Sequence, residues 1–207
     1  SEKHLKEVFE KMEDYKKMNL DVNTFFEMTG MIGGICNNPE DYASFYHNYK
    51  GRRYRHDQVH NLFGYYMTRS ASEAFERYVP EKRILLFSRA SYIGMHRFGG
   101  IWQGDNASWW SHLKMNVKMM PSLNMCGFLY TGADVGGFGA DATEDLVLRW
   151  LEFAVFTPLL RNHSARGTRR QEVYRFSHVE KFADVIGVRY QILPYIYSEY
   201  MKAALRN

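Results

Sequence analysis

The sequence predicts an α/β fold of parallel strands, half of a (β/α)8 TIM-type barrel, and three observations predict it. Beyond Pro80, short apolar runs alternate with helical patterns four times in succession, the arrangement of parallel strands joined by crossover helices. Each run leads into a loop rich in glycine or polar residues. Such residues follow every run, Ser88 and Arg89, then Gly104 and Asp105, then Asp134, then Arg161 and His163. A doubly wound sheet would gather them at one switch point, whereas a barrel places them after each strand. Four units are half of eight, so further chain is expected to complete the barrel.

The elements follow in order. Leu5, Val8, Phe9, Met12 and Tyr15 recur at helical spacing among charged residues and predict a short amphipathic helix. Asn19 to Arg53 keeps no period and reads as an irregular excursion. Val59, Leu62, Phe63, Tyr66, Met67, Ala74 and Phe75 hold one face of a longer helix. Strands are expected at Ile84 to Phe87, Gly100 to Gln103, Cys126 to Thr131 and Thr157 to Leu160. Between them lie a helix with Trp110, Leu113, Val117 and Met120 on one side and another from Thr143 to Phe156, apolar nearly all round. The chain closes on a helical stretch that Pro194 should kink.

Composition narrows the partner. Apolar residues make up 45% of the 207 and charged ones 24%, enough to bury a core. The net charge of +4 is dispersed among both signs, which argues against nucleic acid and anionic membrane and favours a small or neutral partner. No apolar run approaches a membrane span. Cys36 and Cys126 stand apart and outside any metal-ligand spacing, so both read as reduced thiols of a cytoplasmic protein. Neither GxGxxG nor a phosphate-loop lysine motif occurs, so no cofactor is expected.

Two carboxyl groups flanking a glycosidic bond can cleave it, one donating a proton to the leaving oxygen. A general acid gains from apolar neighbours, which disfavour the charged form, and Asp105 in GGIWQGDNASWW stands at a strand end between tryptophans. The alternative is that Asp105 caps the helix starting near Ser108. Asp134 in TGADVGGFG ends another strand, in a loop whose glycines let backbone approach a ligand. It either accepts hydrogen bonds from sugar hydroxyls or organises its own loop in an Asx turn. Arg89 and His163 fit a site equally with an ordinary ion pair or core position. His56 and His60, at i and i+4, echo a zinc-protease helix, but Asp57 replaces the glutamate base and no third ligand is evident. Arg161, Arg166, Arg169 and Arg170 read as a solvated loop, lacking the extended basic face that nucleic acid needs.

Three strings, LLFSRASYIGMHRFGGIWQGDNASWW, GFLYTGADVGGFG and FTPLLRNHS, together resemble glycoside hydrolase family 31, and most of all its bacterial α-glucosidases. They occur in the family's order and spacing. The resemblance covers about Val59 to Asn207 and implies barrel strands five to eight with their helices over 59–207, the second half of the barrel. Residues 1–58 then form a helical and irregular insertion after the fourth strand. It makes Asp105, from W-x-G-D, the acid/base and the catalytic residue. Substrate binding falls to Arg89, Trp102, Asp134, Phe138 and His163, with Arg161 supporting the site. The implied activity is that of a retaining α-glucosidase releasing terminal non-reducing glucose from maltose- or isomaltose-type oligosaccharides by double displacement, without a metal. A sugar hydroxyl can replace water, giving transglucosylation. The family's nucleophile lies in a W-x-D-M-N-E motif that this sequence lacks, Phe26-Glu27-Met28 being a superficial echo. The expectation is a piece that begins after the nucleophile and is inactive alone, needing the N-terminal half of the barrel as partner. An α-xylosidase specificity and a non-catalytic sugar-binding or structural half-barrel are the alternatives.

Overall fold

The computed structural model describes residues 2–15, 24, 27, 28, 30, 31 and 39–206. The chain divides into two compact units, Ser1–Phe63 and Gly64–Asn207. In the first, helix α1 spans Glu2–Tyr15 as its amphipathic spacing predicts, and a short helix α2 covers Pro39–Ser44. Most of the excursion expected from Asn19, together with Phe26 of the Phe26-Glu27-Met28 echo, lies outside the described residues.

The end of that excursion is regular. Strands β1 (Tyr46–Tyr49) and β2 (Arg52–Arg55) pair antiparallel around Lys50 and Gly51, whose φ of 49° and 75° match the two-residue turn that suits strand twist. The hairpin escapes a reading based on apolar alternation because its strands are Tyr, His, Asn and Arg. Arg53 lies over the Tyr46 ring at 3.8 Å. His56 and His60 do not converge on a common point. The His56 ring hydrogen-bonds His47 at 2.8 Å and His60 at 3.0 Å, and among the described residues no cluster fit for a metal ion occurs.

Helix α3 (His56–Tyr78) continues into the second unit. There it packs through Gly64 and Thr68, a Cβ on Gly64 meeting the Ala90 backbone at 2.6 Å. The predicted apolar face is not the packed one: Tyr66, Met67 and Phe75 are exposed.

The sheet of this unit is parallel and follows chain order. Strands β3 (Ile101–Trp102), β4 (Thr131–Asp134) and β5 (Leu159–Arg161) pair in the sequence β3-β4-β5, with Ile101 opposite Thr131 and Asp134 opposite Arg161. The strand expected at Ile84 to Phe87 is reduced to a parallel bridge between Phe87 and Gly100. Leu86 O accepts from Gly100 N and Ser88 N donates to Gly100 O, the sparse bonding of a segment paired on one side.

The strand expected at Cys126 to Thr131 lies later. Residues 126–128 close the preceding helix instead, Cys126 N and Phe128 N donating to Leu123 O and Asn124 Nδ2 capping Phe128 O. The strand itself is TGAD, which looks like a loop. Its glycine is there because the neighbouring strand is close: a Cβ on Gly132 would collide with Leu159 O.

Helix α4 (Trp110–Met125) follows β3 and buries Asn116 and Met120, while Trp110 and Val117 of the predicted apolar side are exposed. Helix α5 (Glu144–Ala154) follows β4, its Thr143 hydroxyl accepting from Leu146 N at 3.3 Å. It is amphipathic rather than apolar all round, with Arg149 paired to Asp145 and Glu152 outside and Leu146, Val147, Trp150, Leu151 and Ala154 inside. These join Ala133, Val135, Ala142, Val155 and Phe182 as the core, each large buried side chain contributing about 1.5–3 kcal/mol. Helix α6 (Val179–Arg206) runs unbroken through Pro194, and Arg189 on it donates to Val155 O, Thr157 O and Pro158 O just ahead of β5. No described helix is long and apolar enough to cross a membrane.

Candidate active site

Because β3, β4 and β5 are parallel, their C-terminal ends lie on one edge, where the loops bring the predicted residues together. Asp134 is the last residue of β4 and is fully buried. Register places it opposite Arg161, which donates through Nε at 2.8 Å and Nη2 at 2.6 Å, both to Oδ1. Oδ2 is also buried and has no hydrogen-bond partner among the described residues. Neither carboxylate oxygen bonds its own loop, so the Asx-turn alternative does not hold. Burial pushes the Asp134 carboxyl above the ordinary aspartate value; hydrogen bonding and charge from Arg161 and charge from His163 oppose this, and Asp105 adds to it.

Arg161 also lies beside aromatics. Its guanidinium lies 5.4 Å from the Trp102 ring centre and 5.8 Å from that of Phe87, and those two rings meet edge to face. Trp102 Nε1 is buried and, like Asp134 Oδ2, has no partner among the described residues. Two orphaned polar atoms of opposite hydrogen-bonding character, a donor and an acceptor, thus flank one arginine.

Asp105 lies after β3 and pairs with Arg89 at 3.0 Å, the two side chains 47% and 60% exposed. The helix-cap alternative fails, because Trp109 is the N-cap of α4 and no side chain caps it. The apolar enclosure expected from flanking tryptophans is absent as well. Trp102 turns toward Phe87 and Arg161, Trp109 packs on His112, and Trp110 is exposed, and the group paired with Asp105 is a cation.

Backbone bonds stitch the three loops together. Asn106 O accepts from Phe138 N at 2.6 Å and Gly139 N at 3.0 Å, Ser108 N donates to Gly139 O, and Ala165 N donates to Phe138 O. The Phe138 and His163 rings stand 5.1 Å apart. Gly137, at φ 86°, passes so close to the β3 loop that a Cβ would lie 2.6 Å from Ser108 N. Ala107 N donates to His112 Nδ1 at 2.9 Å, which requires that nitrogen unprotonated, and burial lowers the His112 pKa accordingly.

Arg89, Trp102, Asp105, Asp134, Phe138, Arg161 and His163 therefore share one edge. Arg166, Arg169 and Arg170 are exposed, in keeping with a solvated loop. Asn106, His112, Asn116 and Gln171 were not legible as site-supporting residues. Asn106 carried one signal, its place directly after Asp105; Gln171 carried none, lying in a basic stretch that reads as solvent-facing.

The model of the glycosyl hydrolases family 31 TIM-barrel domain matches residues 3–199. Alpha-glucosidase 2 of Bacillus thermoamyloliquefaciens is 36% identical over 161 residues, 76% of this chain and 20% of the relative. Mouse neutral alpha-glucosidase C is 32% identical over 148 residues, 70% of this chain and 16% of that protein. Among solved structures, the family 31 alpha-glucosidase of Bacteroides thetaiotaomicron aligns with a TM-score of 0.68 at 34% identity, covering 76% of this chain and 27% of that one. The glucose-bound family 31 dextranase of Flavobacterium johnsoniae aligns at 0.67 and 29% identity, over 72% of this chain and 20% of that one. The chain spans a fifth or less of the length of these two curated relatives.

Proposed function

The chain belongs to glycosyl hydrolase family 31, and on that premise we propose that it is the second half of the catalytic barrel of a retaining α-glucosidase. The observation that carries the proposal is the pair of carboxylates at neighbouring strand ends, one exposed beside Arg89 and one dry against Arg161. In this reading Asp134 accepts sugar hydroxyls through its unpartnered Oδ2, and Trp102 Nε1 donates. Phe138 and His163 form a ring-lined wall for the same glucose, and Arg161 holds Asp134.

Asp105 gives its proton to the leaving glycosidic oxygen while an aspartate from the other half of the barrel attacks the anomeric carbon, forming a covalent glucosyl-enzyme. Asp105 then takes a proton from water, or from a sugar hydroxyl in transglucosylation, and the α configuration is retained. The two carboxyl groups should stand about 5–5.5 Å apart in the complete protein. Arg89 orients Asp105 and lies ready to bind a sugar hydroxyl.

The partner of this chain is then the rest of the same barrel. Support comes from Ile84, Leu85 and Phe87, exposed on the strand position ahead of β3, and from Tyr190, Tyr195 and Tyr197, exposed on α6. The test is release of glucose from maltose, isomaltose and an aryl α-glucoside, with an aryl α-xyloside as the rival substrate. The complete protein should turn over the glucosides and the 207-residue chain alone should not. Turnover by the pure chain that vanishes in Asp105→Ala would place the nucleophile within it and contradict the half-barrel assignment.

A further inference from the structure

The residue that fastens the Asp134 loop comes from outside it. Gln171 is 2% exposed, although Arg169 and Arg170 before it are exposed. Its Nε2 donates to Val135 O and Gly137 O, both at 3.0 Å, and lies 3.2 Å from Asn162 Oδ1, while Asn162 Nδ2 donates to Gln171 O at 2.8 Å. Three oxygens around one NH2 group fix the amide's orientation, since turned over it would set Oε1 against all of them. Val135 follows Asp134, Gly137 precedes Phe138, and Asn162 precedes His163. One buried residue thus holds the backbone beside Asp134 and Phe138 and the side chain of the residue before His163. Gly136 leaves no slack in this arrangement, because a Cβ there would lie 2.9 Å from Val147 Cγ2 and 3.4 Å from Gln171 Nε2.

We propose that Gln171 is a positioning residue for the innermost sugar subsite, its amide latching the loops after β4 and β5 so that Asp134, Phe138 and His163 meet the sugar already in place. The inference rests on the reading of this edge as a glucoside site. Without Nε2, two buried carbonyl oxygens lose their donor and the loop must move to satisfy them. A shift of roughly 1 Å in a positioning element costs about 100-fold in rate.

The test uses the complete protein with the wild-type sequence, Gln171→Met, Asp134→Ala and the double variant, reading kcat and KM on an aryl α-glucoside together with thermal unfolding. Methionine keeps the length and lacks the donors. Folded Gln171→Met should lose about 100-fold in kcat/KM, and the double variant should fall below Asp134→Ala by clearly less than that factor, because part of what each change removes is the same Asp134 contact. Wild-type kinetics in Gln171→Met, or losses that multiply in full, overturn the latch. Should Gln171→Met fail to fold, Gln171→Glu decides. Its protonated carboxyl has one O–H to donate, so activity relative to wild type should be highest at low pH and fall as the group ionises against two carbonyls. A ratio independent of pH overturns the proposal. An inactive wild-type protein removes the glucosidase reading beneath it, whereas an active wild type with indifferent Gln171 variants removes the latch alone.

Discussion

Two aspartate–arginine pairs stand at the ends of neighbouring strands, and solvent separates them. In Asp134–Arg161 the carboxylate side chain is 1% exposed and the arginine lies beside two aromatic rings. In Asp105–Arg89 both side chains are about half exposed or more. A carboxylate held by two donors on one oxygen, with the other oxygen bare, is built to keep its position and accept hydrogen bonds. One that faces solvent beside a single cation suits the proton exchange proposed for it. In the proposed reading the same two residue types serve as a fixed contact and a working acid, and burial separates the two.

Changing Asp105 should have the largest effect on turnover. Asp105→Ala in the complete protein should lower kcat/KM on maltose by about 10²–10⁴-fold, the usual worth of general acid/base catalysis.

Removing each arginine should separate the pairs by stability. Arg161→Met leaves a buried carboxylate unpaired and should cost about 3–5 kcal/mol, whereas the exposed Arg89→Met should cost no more than about 1 kcal/mol. Denaturant unfolding of the two variants measures both, and equal losses would erase the distinction. Asp134→Ala should weaken glucose binding by about 1–3 kcal/mol for each sugar group left unpaired, read as the inhibition constant for glucose; an unchanged constant removes Asp134 from the site.

The smallest effect concerns the support of the Asp105 loop. His112 has its native pKa lowered below 6.5 by burial, so its bond from Ala107 N is intact above pH 6.5 and is lost as pH falls through that lower value. Hydrogen exchange at the Ala107 amide, corrected for its intrinsic pH dependence, should show an opening free energy reduced by about 1 kcal/mol on acidification. His112→Gln should flatten that dependence.

Much of this edge was legible because its chemistry sits in short strings: Asp105 in WQGD, Asp134 in GADVGGFG, and Arg161 with His163 in RNH. The alternation of strand and helix was legible for the same reason, since each parallel strand is a short run with a marked end. The register of β4 was not. TGAD carries loop residues because Leu159 O crowds Gly132, and CGF carries strand residues although it closes a helix. The wetness of Asp105 was equally hidden, because neighbouring tryptophans in sequence turn their rings elsewhere in space. Gln171 shows the limit most clearly. Its role depends on three oxygens brought together by two loops, and nothing in RRQEV announces them.

The assignment of Asp105 as the acid is tested most directly by separating the step that needs a proton from one that does not. In single-turnover glucosylation by the complete protein, Asp105→Asn should be slowed by orders of magnitude on maltose, whose leaving oxygen must be protonated. It should be slowed far less on α-glucosyl fluoride, whose fluoride departs without a proton. Asp134→Ala, which disturbs the sugar both substrates share, should slow the two alike. If Asp105→Asn lost the same large factor on both substrates, Asp105 would be a structural residue and the division of labour between the two pairs would be wrong.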